Sequence, residues 1–394
     1  MPSPIYLSAL TATSALGAGL DATLDALRSG RSGLRANDFQ LAPMDTWIGR
    51  VDGVEEEQLA PGLPDYACRN NQLAQLGLRQ DGFIDAVNRA KEVYGAPRVG
   101  VIVGTSTSGV LETELAYRSY SKNGAWPENM RYREQHNLFG LADFVRRYLG
   151  LQGPAHVIST ACSSSAKVFA SAARFLRQDL CDAVVVGGVD SLSLTTLYGF
   201  TSLELVSTQA CRPWDAHRNG ISIGEAAGFA LLEKKEGSDI LLTGYGESSD
   251  AYHMSTPHPQ GKGAAQAMQA ALQRAQLQPG QIDYINLHGT GTPSNDASED
   301  LAVLEVFGAE VPCSSTKGAT GHTLGAAGMM EAAISVLCLR HGLIPGGGST
   351  TQIDPQLKAN FVRHTKTATV RHVLSNSFGF GGNNCSLLFS RMDA

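Results

Sequence analysis

The sequence predicts a layered α/β fold built twice on one plan. Strand-like runs alternate with helical ones along the chain, the pattern of a layered α/β protein. Two strand ends carry matching turns, Gly104-Thr105-Ser106-Thr107 and Gly289-Thr290-Gly291-Thr292. Each turn is followed by another strand running into a small-residue helix, "HVISTACSSSAKVFASAARFL" in the first half and "VPCSSTKGATGHTLGAAGMMEAAISVL" in the second. Such an echo reads as an internal duplication. A length of 394 residues also exceeds a usual single core. The halves are expected to span 1–236 and 237–394, joined near "EKKEGSD".

In chain order, "PIYLSALTATSALG" opens the first half as "DILLTGYGESSDAYH" opens the second. "RVGVIVGTSTSG" is an apolar strand ending in small and hydroxyl residues. A long insertion containing "YRSYSKNGAWPENMRYREQHNLFG" then precedes "HVIST". An insertion of that kind builds a cap, a substrate wall or a subunit interface. Cys162 follows, at a strand end that becomes a helix. In the first turn of that helix, unpaired N–H groups and the dipole favour a thiolate. A free cysteine also packs as a small buried hydrophobe, and the segment alone leaves both readings open.

The second half carries polar residues at its strand ends. His288 lies in "NLHGTGTPSNDASE", Lys317 and His322 in "SSTKGATGHTLGAAG", and Phe378 and Phe380 in "SNSFGFGGNNCSLLF". Each has an ordinary reading: a surface histidine, a solvated lysine, a hairpin turn. Duplication, however, brings corresponding strand ends together, so Cys162, His288 and the Lys317/His322 turn should converge. A thiolate can hold an acyl group as a thioester. Neutral imidazoles can donate to the carbonyl of a second thioester as charge builds there. A cysteine protease needs no second histidine and lysine, and no pair of residues has zinc-ligand spacing. The chemistry read from the residues is acyl transfer.

Composition narrows the class. Hydrophobic content of 43% and charged content of 17% describe a soluble globular enzyme. A net charge of −6 argues against general nucleic-acid binding. No apolar run is long enough to span a membrane. "MPSPIYLSALTATSALG" has no basic leader before a long apolar run, so no signal peptide is expected. The 7 scattered cysteines suit reduced thiols in the cytoplasm.

"TACSSS", "HGTGTPSND", "STKGATGHTLGAAG" and "NSFGFGG" resemble the signatures of elongating β-ketoacyl-acyl-carrier-protein synthases, supported by "CRPWDAHRNGISIGEAAG" and "SDAYHMSTPHP". The resemblance covers nearly the whole chain. It implies a thiolase fold, a duplicated α-β-α-β-α sandwich working as a homodimer or as a heterodimer with a related ketosynthase-like subunit. It implies that Cys162 takes an acyl chain from acyl-carrier protein, with the amides of Cys162 and Phe380 holding the oxyanion. His288 and His322 then promote decarboxylation of malonyl-carrier protein, Lys317 orients and polarises the site, and Glu331 supports it. Thr290, Thr292 and Ser255 match positions contacting the phosphopantetheine arm; Phe380 gates the pocket and Phe200 lies near the acyl tail. Asn286, Glu331, Ser375 and Asn376 match a structural cation site of some relatives. No catalytic metal and no redox or nucleotide cofactor is expected.

A chain-length-factor-like, non-catalytic partner is the alternative, but such subunits lack the nucleophile that Cys162 supplies. Two departures stand out. Glu204 replaces a basic residue of the usual carrier-docking surface, and "DYACRNNQLAQLGL" offers only Arg69. Arg131, Arg133, Arg146 and Arg147 are the substitute candidates for an acidic carrier. The weak standard patch favours a specialised polyene or polyketide synthase over housekeeping fatty-acid elongation.

Overall fold

A computed structural model describes residues 4–235 and 237–392. Glu236, the last residue of the first expected half, lies outside the described residues, as do 1–3 and 393–394 at the outer ends of the two halves. The first half contributes β1 (Tyr6–Ser14), β2 (Val99–Gly104), β3 (Ala155–Ile158), β4 (Ala183–Asp190) and β5 (Ala226–Glu233). The second contributes β6 (Ile240–Ser249), β7 (Tyr284–Asn286), β8 (Pro312–Ser314), β9 (Asn360–Phe361), β10 (His372–Gly379) and β11 (Asn383–Arg391).

The strand order is β3-β2-β4-β5-β1 in one half and β8-β7-β10-β11-β6 in the other, with β9 added outside β8. Directions repeat too. β2 runs parallel to β3 and β4, and β5 antiparallel to β4 and β1. β7 runs parallel to β8 and β10, and β11 antiparallel to β10 and β6. The duplication suggested by the motifs is therefore a duplication of topology, laid out as a thiolase fold. One antiparallel pair, Tyr6 with Leu241, links β1 to β6.

The helices that position the site are α1 (Val110–Asn123), α2 (Phe139–Tyr148), α3 (Ser164–Arg177), α4 (Leu194–Ser202), α5 (Pro293–Phe307) and α6 (Ala327–His341). α3 and α6 form the inner layer, with Ala166, Phe169, Ala170, Met329, Met330 and Ala333 in one core. α6 is buried from Ala327 through Leu339. A helix apolar on every side belongs between layers, not on a surface. Their close approach depends on Gly328, where a Cβ would come within 2.5 Å of the Ala166 nitrogen. β4, "AVVVGGVD", is buried at every residue, as a strand covered on both faces must be. Its last residue is a carboxylate, Asp190.

The insertion folds as α1, a π-turn at Tyr132–His136 and α2. Tyr132, His136, Asn137 and Leu138 of the insertion line a large cavity beside Cys162. Among the described residues, no helix is long and apolar enough to cross a membrane.

Candidate active site

Cys162 occupies the turn between β3 and α3. The expectation that it lies in the first helical turn is corrected: Ser163 caps the helix, and Cys162 precedes the cap. Ala161 takes a φ of 53°, in the left-handed region that side chains other than glycine rarely adopt. The turn is held by Ser163 N–H donating to the Thr160 carbonyl (3.3 Å) and Ser164 N–H to the Ala161 carbonyl (3.1 Å). It directs Sγ toward the second half. His322 Nε2 lies 3.1 Å from Sγ, and the Phe380 N–H donates to it.

Burial pushes the Cys162 thiol up to about 12, against the pull of Lys317 and the Phe380 N–H. The resting group is thus a thiol, not the thiolate expected from a helix start, because desolvating the anion outweighs the donors facing it. Alkylation of Cys162 by iodoacetamide should therefore rise about tenfold per pH unit from about pH 7 to 10, following the thiolate fraction. A rate that levels off below about pH 8 would show a preformed thiolate.

The second half supplies the remaining groups from its own strand ends. His288 follows β7, and Glu299 of α5 anchors its loop by accepting from His288 N–H (2.8 Å) and Gly289 N–H (2.7 Å). Lys317 is not a solvated lysine; it is 2% exposed. Its Nζ pairs with Glu331, donates to the His288 carbonyl at 2.5 Å and faces His288 Nδ1 at 3.5 Å. Ser377 donates to the other Glu331 oxygen. The two imidazole rings stand 5.4 Å apart, nearly perpendicular. Burial, with the Lys317 charge adding to it, holds both well below the usual imidazole range, so both are neutral near pH 7.

Their tautomers differ in freedom. With Lys317 donating to Nδ1, the His288 proton sits on Nε2, which makes that nitrogen a donor. His322 Nδ1 has no hydrogen-bond partner among the described residues, so either tautomer is open to it. It can accept the thiol proton and later donate.

Two cavities meet at Cys162. A narrow passage is lined by His288, His322, Ser255, Thr290, Thr292 and Asn295. On the other side lies a cavity of about 780 Å³, lined by residues of the insertion, by Ser106 and Thr107, and by α4. Cys162, Phe200 and Phe380 border both. The two phenyl rings pack at 5.6 Å. "GFGG" is indeed a turn between antiparallel β10 and β11, with Gly379 opposite Asn383. The same turn also delivers the Phe380 N–H to the sulfur.

The cation positions divide. Asn286 and Ser375 are register partners on β7 and β10, and their buried side-chain oxygens have no hydrogen-bond partners among the described residues. That donor set fits a cation. Glu331 is already committed to Lys317 and Ser377, and the Asn376 amide to Glu299 and Ser386.

Sequence reading missed the acidic face of α5. Asp296, Glu299 and Asp300 are all buried. Asp296 accepts from Trp214 N–H and Gly291 N–H, and Asp300 from Lys358 N–H and Ala359 N–H. Three acids at i, i+3 and i+4 share one helix face; without a lysine beside them, that spacing was the available signal. Asp190 was missed as well.

The docking expectations also change. Arg69 is buried and paired with Glu225 and Glu55, so it offers no surface charge. Arg131 is paired with Asp65, and Arg146 and Arg147 with Asp143. Arg133 and Glu204 are exposed.

Residues 3–238 match the model of the Beta-ketoacyl synthase N-terminal domain, and 241–349 that of the C-terminal domain. A 3-oxoacyl-[acyl-carrier-protein] synthase 2 from Vibrio cholerae is 32% identical over 98% of this chain and 99% of its own. Among solved structures, the ketosynthase ApeO in complex with its chain length factor ApeC, from Xenorhabdus doucetiae, is 40% identical with a TM-score of 0.92. It covers 99% of this chain and 98% of its own. The ishigamide ketosynthase/chain length factor is 26% identical with a TM-score of 0.90, covering 100% of both chains.

Proposed function

Because this chain belongs to the β-ketoacyl synthase family, we propose that it extends a carrier-bound acyl chain by decarboxylative condensation, with Cys162 as the acyl acceptor. The observation that carries the assignment is the convergence of Cys162, His288 and His322: Sγ and one ring nitrogen of each histidine lie within 4.8 Å of one another.

In the first stage, Cys162 Sγ attacks the acyl thioester carbonyl. Its proton passes to His322 Nε2 and then to the leaving pantetheine sulfur. The amides of Cys162 and Phe380 receive the oxyanion. In the second stage, malonyl-carrier protein reaches the site through the narrow passage, where Thr290, Thr292 and Ser255 contact the arm. His288 and His322 donate to the malonyl thioester oxygen as carbon dioxide leaves and the enolate forms. The enolate carbon attacks the acyl-Cys162 carbonyl, the C–S bond breaks, and a 3-oxoacyl chain two carbons longer departs on the carrier. Lys317 fixes the His288 tautomer, and Glu331 offsets its buried charge. Phe380 moves with its turn to open the way past Phe200. Asn286 and Ser375, with Glu331 and Asn376 beside them, would hold a structural cation that braces the strand ends. The test is reconstitution with acyl- and malonyl-carrier proteins; mass spectrometry should find the 3-oxoacyl product.

A specialised polyene or polyketide chain, built with a chain-length-factor-like partner, is the pathway we favour. The full-length likeness to ketosynthase–chain length factor pairs supports it, as does the loss of Arg69 as a docking charge. Co-expression with such a partner should raise activity, whereas a fully active homodimer would place the chain in general elongation. The cytoplasm, where acidic carriers and reduced thiols coexist, is the proposed location. Glu204→Arg should tighten binding to a generic acidic carrier by about threefold, the scale of one exposed ion pair. Unchanged affinity would put Glu204 outside the docking surface.

A further inference from the structure

We propose that Asp190 is a positioning residue for acyl loading: its carboxylate clasps together two walls of the acyl cavity, one from each half of the chain. This rests on the reading of Cys162 as the acyl acceptor.

Asp190 ends β4 and is 0% exposed. Its carboxylate accepts from six donor groups: Thr105 Oγ1 (2.7 Å), Ser106 N–H (2.9 Å), Ser106 Oγ, Thr107 N–H (3.1 Å), Thr107 Oγ1 (2.8 Å) and Gly325 N–H (2.6 Å). Five of these come from the turn after β2, and Ser106 and Thr107 line the large cavity. The sixth comes from the second half, in the loop between His322 and α6. Leu324, beside that donor, lines the same cavity and takes a φ of 52°. The contact also explains Gly325: a Cβ there would sit 2.6 Å from Asp190 Oδ2.

No salt bridge to Asp190 occurs among the described residues, so its negative charge is held by hydrogen bonds rather than by a cation. A buried carboxylate held only by neutral donors depends on all of them, because each lost bond leaves a buried group unpaired. The two walls therefore share Asp190 as a common acceptor, beside their direct approach at Gly325, where a Cβ would sit 2.7 Å from the Ser106 nitrogen. That charge also reaches the nucleophile: Asp190 and Glu331 act to raise the Cys162 thiol, against Lys317 and the Phe380 N–H, with neutral His288 and His322 alongside.

The catalytic histidines are anchored elsewhere. His322 N–H donates to the Ser222 carbonyl (2.7 Å), and the His322 carbonyl accepts from Gly224 N–H (2.9 Å). The His288 loop is held by Glu299. Loosening the clasp should thus disturb acyl loading and spare malonyl decarboxylation.

Asp190→Asn tests this, since the amide keeps the shape but sets its own N–H against the Gly325 or Ser106 donors. Acyl transfer from a panel of acyl-carrier thioesters to Cys162 should slow by about tenfold, with a broadened chain-length preference. Malonyl decarboxylation should stay within about threefold, and the alkylation profile of Cys162 should move to lower pH as the negative charge leaves. Thr107→Val removes one clasp bond without removing the charge. It should slow loading by about threefold and leave the alkylation profile in place. Equal loading by wild type and Asp190→Asn overturns the proposal. So does a parallel fall of loading and decarboxylation, the mark of a general folding defect. A wild-type protein that accepts no acyl chain overturns the functional reading beneath it instead.

Discussion

Cys162→Ala is expected to lose 3-oxoacyl synthesis by about 10⁴-fold or more, because the proposed mechanism holds the acyl chain on Cys162 alone. Malonyl decarboxylation should survive in the same variant. On the proposed mechanism that half-reaction draws on the neutral imidazoles and Lys317; the backbones of His288 and His322 and the Lys317 ammonium are held by groups other than the sulfur. The substitution also removes the thiol of one of the three side chains that border both cavities, leaving room for the malonyl arm. Carbon dioxide release without condensation is the signature; simultaneous loss of both reactions would contradict the division of labour.

The second large effect belongs to the histidines. His288→Ala should lower malonyl decarboxylation by about 10²–10³-fold, the scale of removing one oriented donor to a developing oxyanion. Acyl loading should fall much less, since among the described residues the imidazole hydrogen-bonded to the sulfur is that of His322, not His288. His322→Ala should impair both stages, because His322 Nε2 is the group at 3.1 Å from Sγ. Isotope-labelled carbon dioxide release, measured beside acyl-adduct formation, separates the two; decarboxylation at the wild-type rate in either variant would remove its assigned role.

Charge state adds a pH expectation. Both imidazoles are held below their ordinary range. In acid, the unfolded chain therefore binds protons that the folded site refuses. Their contribution to stability is complete above about pH 6.5 and declines as pH falls below it. Thermal melting at pH 5 and 7 should show a loss at pH 5 that shrinks in His288→Gln.

The duplicated plan was legible because it is written in local signals: apolar strands, matching turns and small-residue helices. Cys162, His288, Lys317 and His322 were legible for the same reason, as polar residues in glycine-rich turns at strand ends. What stayed hidden depends on burial. Arg69 reads as a surface charge until Glu225 and Glu55 are seen around it. Asp296, Glu299 and Asp300 drew no reading from the sequence, yet they accept from the N–H groups of neighbouring loops. The helix start, a local feature, left the Cys162 thiolate and the packed thiol both open; burial, which the segment does not show, pushes the thiol up.

The most direct test of the central claim is intact-mass spectrometry after incubating wild type and Cys162→Ala with a panel of acyl-carrier thioesters. One acyl mass should be added to wild type, mapping to the peptide that contains Cys162, and none to the variant. An equal adduct on Cys162→Ala would contradict that claim, since the acyl chain would then be held by another residue.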